Sequence, residues 1–110
     1  MFSYKSQPVR SKKLRDSAKG EACTLRLPGV CSGDTATTVL AHLPFGGRGT
    51  GLKASYDHAV YACDACHSVL DGRVKARVSR EEIYECCIRG LAETHERMRQ
   101  MGLISYKGAA

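Results

Sequence analysis

The feature that most restricts this chain is Cys63-Asp64-Ala65-Cys66. Two thiolates separated by two residues have the spacing at which one tetrahedral zinc ion is gripped. The same spacing serves redox dithiols, but those belong to a βαβ pattern that this sequence lacks. A second pair, Cys23 and Cys31, stands upstream with seven residues between its members and Pro28-Gly29 in the middle. That gap is wider than the usual two to four residues, yet two knuckles of two thiolates still close a site. The sequence therefore predicts a structural Zn2+ held by Cys23, Cys31, Cys63 and Cys66. A chain of 110 residues has a small core, and a metal staple adds what burial alone does not. Cys86 and Cys87 are neighbours in a helical stretch, where adjacent side chains point about 100° apart, so both cannot easily serve one ion. Cys87 shares a stripe with Ile83 and Leu91 and is read as a core thiol. Cys86 is read as packing, with its replacing Cys23 or Cys31 as a ligand left open. Clustered metal-type thiols imply a reducing, cytoplasmic setting.

Charge supplies the second constraint. The chain holds 17 Lys+Arg against 11 Asp+Glu, a net +6. Residues 1–20 contain Lys5, Arg10, Lys12, Lys13, Arg15 and Lys19 against the single acid Asp16. Residues 1–15 are therefore read as a flexible basic arm, and residues 16–110 as one domain. An arm of this kind is either a solvated tail or a grip on phosphates, in which case salt weakens it through counterion release. The balance favours a polyanion such as DNA as partner. No apolar run approaches the ~20 residues of a bilayer span, and the basic start lacks the apolar core of a secretory signal. A membrane partner is not expected.

Coarse periodicity orders the rest. Cys23 to Leu27 reads as a short strand before the Pro-Gly turn, and Thr37 to His42 as a β-branched strand ending at His42. Gly46 to Gly51 has four glycines in six residues and must be a loop. It is not a phosphate-binding Walker loop, because Leu52 occupies the lysine position and Lys53 comes one residue late. His58 to Ala62 reads as a second strand, and Asp64 to Asp71 as two helical turns stopped by Gly72. Ser79 with Glu82 forms a capping box for a long helix bearing Ile83, Cys87, Leu91 and Met98 on one face and ended by Gly102. Met98, Met101, Leu103 and Ile104 either cover the core or meet a second subunit. The predicted class is α+β.

The histidines carry the chemistry. His67 and Asp71 lie four residues apart, on one face of the short helix, and together can hold a divalent cation. Pairing the two strands through the glycine loop brings His42 and Asp57 to the same end. An imidazole, a carboxylate to orient it and a cation site are the parts that phosphodiester hydrolysis needs. His67 as a further zinc ligand of the cysteine group is the competing reading.

This order of elements resembles the HNH, or ββα-metal, endonucleases, and more fully the YbcO-type phage and prophage nucleases. The stretches that carry the resemblance are Cys23 to Cys31, Val39-Leu40-Ala41-His42, the Gly46–Gly51 loop with Asp57, and Ala62-Cys63-Asp64-Ala65-Cys66-His67-Ser68-Val69-Leu70-Asp71. It extends from about residue 20 to about residue 100. The resemblance implies a zinc-stapled domain with an HNH-like core and a long C-terminal helix. It makes His42 the general base for the attacking water and Asp57, where Asn is usual, the group that fixes its tautomer. His67 and Asp71 become ligands of a catalytic Mg2+ or Mn2+. Many members place Asp or His just before the base, where this chain has Ala41, so the cation has fewer protein ligands. Arg48, Lys53 and, more faintly, Arg73 and Lys75 are candidate DNA contacts. The implied activity is metal-dependent endonucleolytic hydrolysis of DNA with low sequence specificity, in phage recombination or DNA processing, with a recombination or replication protein as a further partner. The alternatives are a non-catalytic zinc-ribbon DNA-binding or recombination-accessory protein, and a zinc-dependent interaction module.

Overall fold

The computed structural model describes residues 11–44 and 56–105. Its elements are helix α1 (Lys12–Asp16), strand β1 (Val39–His42), strand β2 (Ala59–Ala62), helix α2 (Asp64–Leu70) and helix α3 (Arg80–Gln100). The glycine loop, with Arg48 and Lys53, lies outside the described residues. The expected basic arm is described only from Ser11 onward. There Ser11 caps α1 by accepting from the Lys13 and Leu14 amides, and Leu14 is buried.

β1 and β2 pair antiparallel, with Val39 opposite Ala62, Leu40 opposite Tyr61, Ala41 opposite Val60 and His42 opposite Ala59. Successive strand residues point to opposite faces, and this hairpin is buried on both. Ala41, Val60 and Ala62 face one cluster with Leu25, Leu27, Cys66, Leu70 and Cys87. Leu40, Ala59 and Tyr61 face another with Leu14, Ala18 and Met98, against which Leu103 and Ile104 pack. The C-terminal apolar residues Met98, Leu103 and Ile104 thus cover the core of their own chain. Burial on both faces explains why β2 reads as an unbroken apolar run.

Helix α3 closes the open edge of β2. Its capping box is complete: Ser79 Oγ accepts from the Glu82 amide, and Glu82 accepts from the Ser79 amide. Midway along it, Thr94 Oγ1 accepts from the Tyr61 amide at 3.1 Å and contacts Thr24 Oγ1 at 2.9 Å. Thr24 in turn donates its amide to Tyr61 O at 2.7 Å and its hydroxyl to the same oxygen at 3.0 Å. These bonds satisfy edge groups that would otherwise be buried unpaired. Gly90 permits the approach, since a Cβ there would lie 3.0 Å from Thr24 O.

Four local expectations are corrected. Cys23 to Leu27 is not a strand: it turns with Arg26 in the left-handed region at φ 42°, which a ladder cannot accommodate. β1 begins at Val39, because Asp34 caps a 3-10 turn over Thr35–Thr37. The second strand does not begin at His58, since Tyr56–His58 is a 3-10 turn and β2 starts at Ala59. Asp71 is the C-cap of α2, just outside the helix. Gly72 follows at φ 78°, as a helix stop requires.

Candidate metal centre and the adjoining histidine face

The two cysteine pairs meet. The Sγ atoms of Cys23, Cys31, Cys63 and Cys66 all lie within 4.8 Å of one another, with Cys31 and Cys63 at 3.9 Å. Zn–S bonds of about 2.3 Å in a tetrahedron place sulfurs about 3.8 Å apart, so the group is near its liganded dimensions. Cys23, Cys63 and Cys66 are buried. Cys63 is the N-cap of α2, and one helical turn brings Cys66 back to the same side.

Backbone amides point at the sulfurs, while burial pushes Cys31 above the ordinary thiol range. The Arg26 amide donates to Cys23 Sγ at 3.4 Å and the Leu27 amide to Cys66 Sγ at 3.4 Å. The Gly33 amide supports Cys31, and the amides of Cys66 and Ser32 support Cys63. Backbone donors aimed at sulfur are the usual outer shell of a thiolate site. A hydrogen bond from the Cys66 thiol, opposed by burial, holds Cys23 far below the ordinary thiol range. Cys66 is held correspondingly high, so the pair shares a proton that a metal would displace. The donor set fits a zinc ion, and the four cysteines are the residues that would hold it.

Cys86 and Cys87 lie outside this group. Both are buried in the hydrophobic cluster around it. Burial, with Cys86 beside it, pushes Cys87 up to about 11, as expected of an inert core thiol.

Arg26 is the feature that sequence reading missed. Its guanidinium reaches Glu93 of α3 with two bonds, at 2.8 and 2.6 Å, and holds that carboxyl below its usual range. The knuckle carrying Cys23 is thus tied to the long helix. The signal was faint, because the left-handed position in such a turn ordinarily selects Gly.

On α2, His67 follows Cys66, so its side chain leaves the helix about 100° away from the sulfur. His67 Nε2 lies 3.1 Å from Asp71 Oδ2. Neighbouring ligands on an octahedral cation with 2.1 Å bonds are about 3.0 Å apart, so this pair also has the spacing of two cation ligands. Arg73 reaches the same Oδ2 at 3.4 Å. At the loop end of the hairpin, His42 stands opposite Ala59, and Asp57 is two residues ahead of Ala59 in the turn that leads into β2. The His42 ring stacks on Tyr56, with centroids 5.0 Å apart and planes at 15°. Alternation along β1 sends Ala41 toward α2 and sets His42 on the side of Leu40 and Tyr61. Tyr56 packs against that same cluster. It is a neighbour of His42 that the sequence reading did not single out.

Fold and site together define a class: a small α+β domain whose hairpin and following helix are clamped by a four-cysteine centre, with a His–Asp pair on the helix's outer face. The family model described as "Putative nuclease YbcO" matches residues 12–103, and the chain belongs to that family. It is 40% identical over 92 residues to "Putative nuclease YbcO" of Escherichia coli strain K12, spanning 83% of this chain and 95% of that protein. The same figures hold for the protein of that name from Enterobacteria phage 82. A solved structure, described as a putative bacteriophage protein from Escherichia coli K-12 MG1655, superposes with a TM-score of 0.67 at 34% identity, covering 82% of this chain and all of that one.

Proposed function

We propose that the protein is a metal-dependent DNA endonuclease of the HNH type, working on phage or prophage DNA with low sequence preference. The observation that carries this reading is the His67–Asp71 pair, 3.1 Å apart, on the helix and C-cap that follow a β hairpin whose first strand ends in His42. The names of the relatives add support. In this reading the four cysteines hold zinc and fix the start of α2. His67 and Asp71 would hold Mg2+ or Mn2+, which neutralises developing charge on the phosphate and leaving oxygen when bound. Two protein ligands leave several positions for water or phosphate, which suits Mg2+. The His42 imidazole takes a proton from the attacking water, and Asp57 favours the tautomer that can accept it. Phosphate contacts carry no sequence information, so a grip made through them allows broad cleavage. The setting is a cytoplasmic one, with a recombination or replication protein as a further partner. No helix among the described residues is long and apolar enough to cross a membrane.

A second reading, a zinc-stapled DNA-binding accessory protein without catalysis, is favoured by one observation. His42 falls in alternation with Leu40 and Tyr61, whereas the residue directed toward α2 is Ala41, which is buried and offers no ligand. Plasmid nicking with Mg2+ or Mn2+ separates the two. The nuclease reading expects nicking by the wild type, abolished in His42→Ala and His67→Ala, with DNA binding and zinc content retained. Absence of divalent-dependent nicking by zinc-loaded wild-type protein leaves the accessory reading.

A further inference from the structure

Between α2 and α3, the segment Gly72 to Arg80 carries Arg73, Lys75, Arg77 and Arg80 and no acid. All four are exposed. Arg73 is engaged with Asp71, but among the described residues Lys75, Arg77 and Arg80 have no ion-pair partner. The segment is not a loose tail. The amides of Arg73 and Val74 both donate to Ser68 O, at 2.9 and 3.2 Å, and the Ser79 amide donates to Glu82 Oε1 at 3.0 Å. Val78 packs against the core. The cations are therefore presented on a loop anchored at both ends, so less ordering entropy is lost on binding.

Lys75 and Arg77 also line an open cleft of about 810 Å³, together with Val30 of the Cys31 knuckle and Ala65, Ser68 and Val69 of α2. Asp64 is the one acid in its lining. The lining has no aromatic side chain of the kind that anchors a peptide; the rest of it is small, with Pro28, Gly29, Val74 and Ala76. A wall of mainly small residues beside a row of cations leaves room for a backbone of repeating phosphates. From Asp71 to Arg80 the chain reaches at most about 30 Å, less than one turn of duplex at about 34 Å. The strip begins at the residue after Asp71, so a strand lying on it passes the His67–Asp71 pair.

We propose that the Gly72–Arg80 strip and the cleft it borders bind the sugar–phosphate backbone of duplex DNA, with Lys75, Arg77 and Arg80 contacting phosphates. The proposal rests on the nuclease reading in taking DNA as the polyanion, but it does not require catalysis. The strip is separate in sequence from the candidate contacts Arg48 and Lys53.

The test is fluorescence anisotropy of the zinc-loaded full chain with a short labelled duplex, over a range of KCl and without added magnesium or manganese. Lys75→Glu/Arg77→Glu should weaken binding at least about tenfold and make the log–log salt dependence shallower by about two. The control Arg99→Glu is compared with the single strip variant Arg77→Glu, so that net charge changes equally. Arg99 lies nineteen residues along α3 from Arg80, about 28 Å away, and this variant should move binding much less. An equal loss in the control, or an unchanged salt slope in the strip variant, overturns the proposal. So does a wild type that binds poly-glutamate but not duplex. Circular dichroism and zinc content verify folding, and Lys75→Gln/Arg77→Gln repeats the test if charge reversal unfolds the chain. Wild-type nicking is scored separately. Strip-dependent binding without nicking removes the catalytic reading and keeps the strip, whereas nicking with strip-independent binding does the reverse.

Discussion

Gly90→Ala gives the sharpest test of how the metal centre is braced. Propensity alone predicts stabilisation, since Ala is favoured over Gly inside a helix by about 1 kcal/mol. The structure predicts the opposite. A Cβ at position 90 meets Thr24 O at 3.0 Å and the Thr24 carbonyl carbon and Oγ1 at 3.3 Å. Thr24 has little room to retreat, because its amide and hydroxyl both donate to Tyr61 O, at 2.7 and 3.0 Å, and its hydroxyl also meets Thr94. Either those buried bonds lengthen or α3 lifts away from the hairpin. Overpacking of this kind costs about 1–3 kcal/mol, and a stretched buried hydrogen bond adds about 1 kcal/mol. After the propensity gain, a net loss of about 1–3 kcal/mol remains. At ~4–8 °C per kcal/mol for a domain near this size, the melting temperature of the zinc-loaded protein falls by roughly 4–24 °C. Because Thr24 adjoins Cys23, zinc transfer to a chromophoric chelator should also quicken. A higher melting temperature with unchanged zinc transfer would refute the account, showing that the knuckle moves aside at no cost.

Three other outcomes follow from named contacts. Metal analysis of purified variants should find one zinc per chain in Cys86→Ala and loss of that zinc in Cys31→Ala; retention in Cys31→Ala would return Cys86 to the ligand set. With its thiol raised to about 11, Cys87 has a thiolate fraction of roughly one in a thousand at pH 8. It should resist alkylation in the native protein and react on denaturation, as peptide mapping by mass spectrometry would show. Glu93 is depressed by Arg26, so its stabilising effect is full above the unfolded carboxyl value of about 4.3 and is lost as pH falls through the lower folded value. Glu93→Gln should therefore melt below wild type at pH 7, by an amount matching about 0.5–1 kcal/mol. That gap should close below pH 4 in thermal scans, and a gap independent of pH would remove Glu93 as its source.

Legibility in the sequence followed the range of the forces involved. The α3 capping box, the Gly72 stop and the Cys-x-x-Cys at the start of α2 are written within a few residues, and each reappears in the structure. The meeting of Cys23 and Cys31 with Cys63 and Cys66 was also legible, because thiols of this pattern have few other uses. Cys23 to Leu27 was not. Its alternation of apolar residues mimics a strand, but the two amides needed at sulfur pull the chain into a turn, at the cost of placing Arg26 at φ 42°. Non-local partners such as Glu93 for Arg26, or Tyr56 for His42, leave no periodic trace.

Helix α2 and its caps carry two of the four clustered cysteines and the His67–Asp71 pair, and this ties their geometry together. Cys66 and His67 are adjacent, so the roughly 100° step between them points one side chain into the sulfur group and the other toward Asp71. α2 has seven residues, too few to persist alone in water. What holds it is Cys63 at its N-cap, Cys66 one turn on and Leu70 in the core cluster. Loss of the zinc would free the first two of these three anchors, and the one-turn spacing that keeps His67 Nε2 beside Asp71 would lose its frame. A chain whose metal knuckle and His–Asp pair share two helical turns therefore makes the second dependent on the first, without any contact between the two sites.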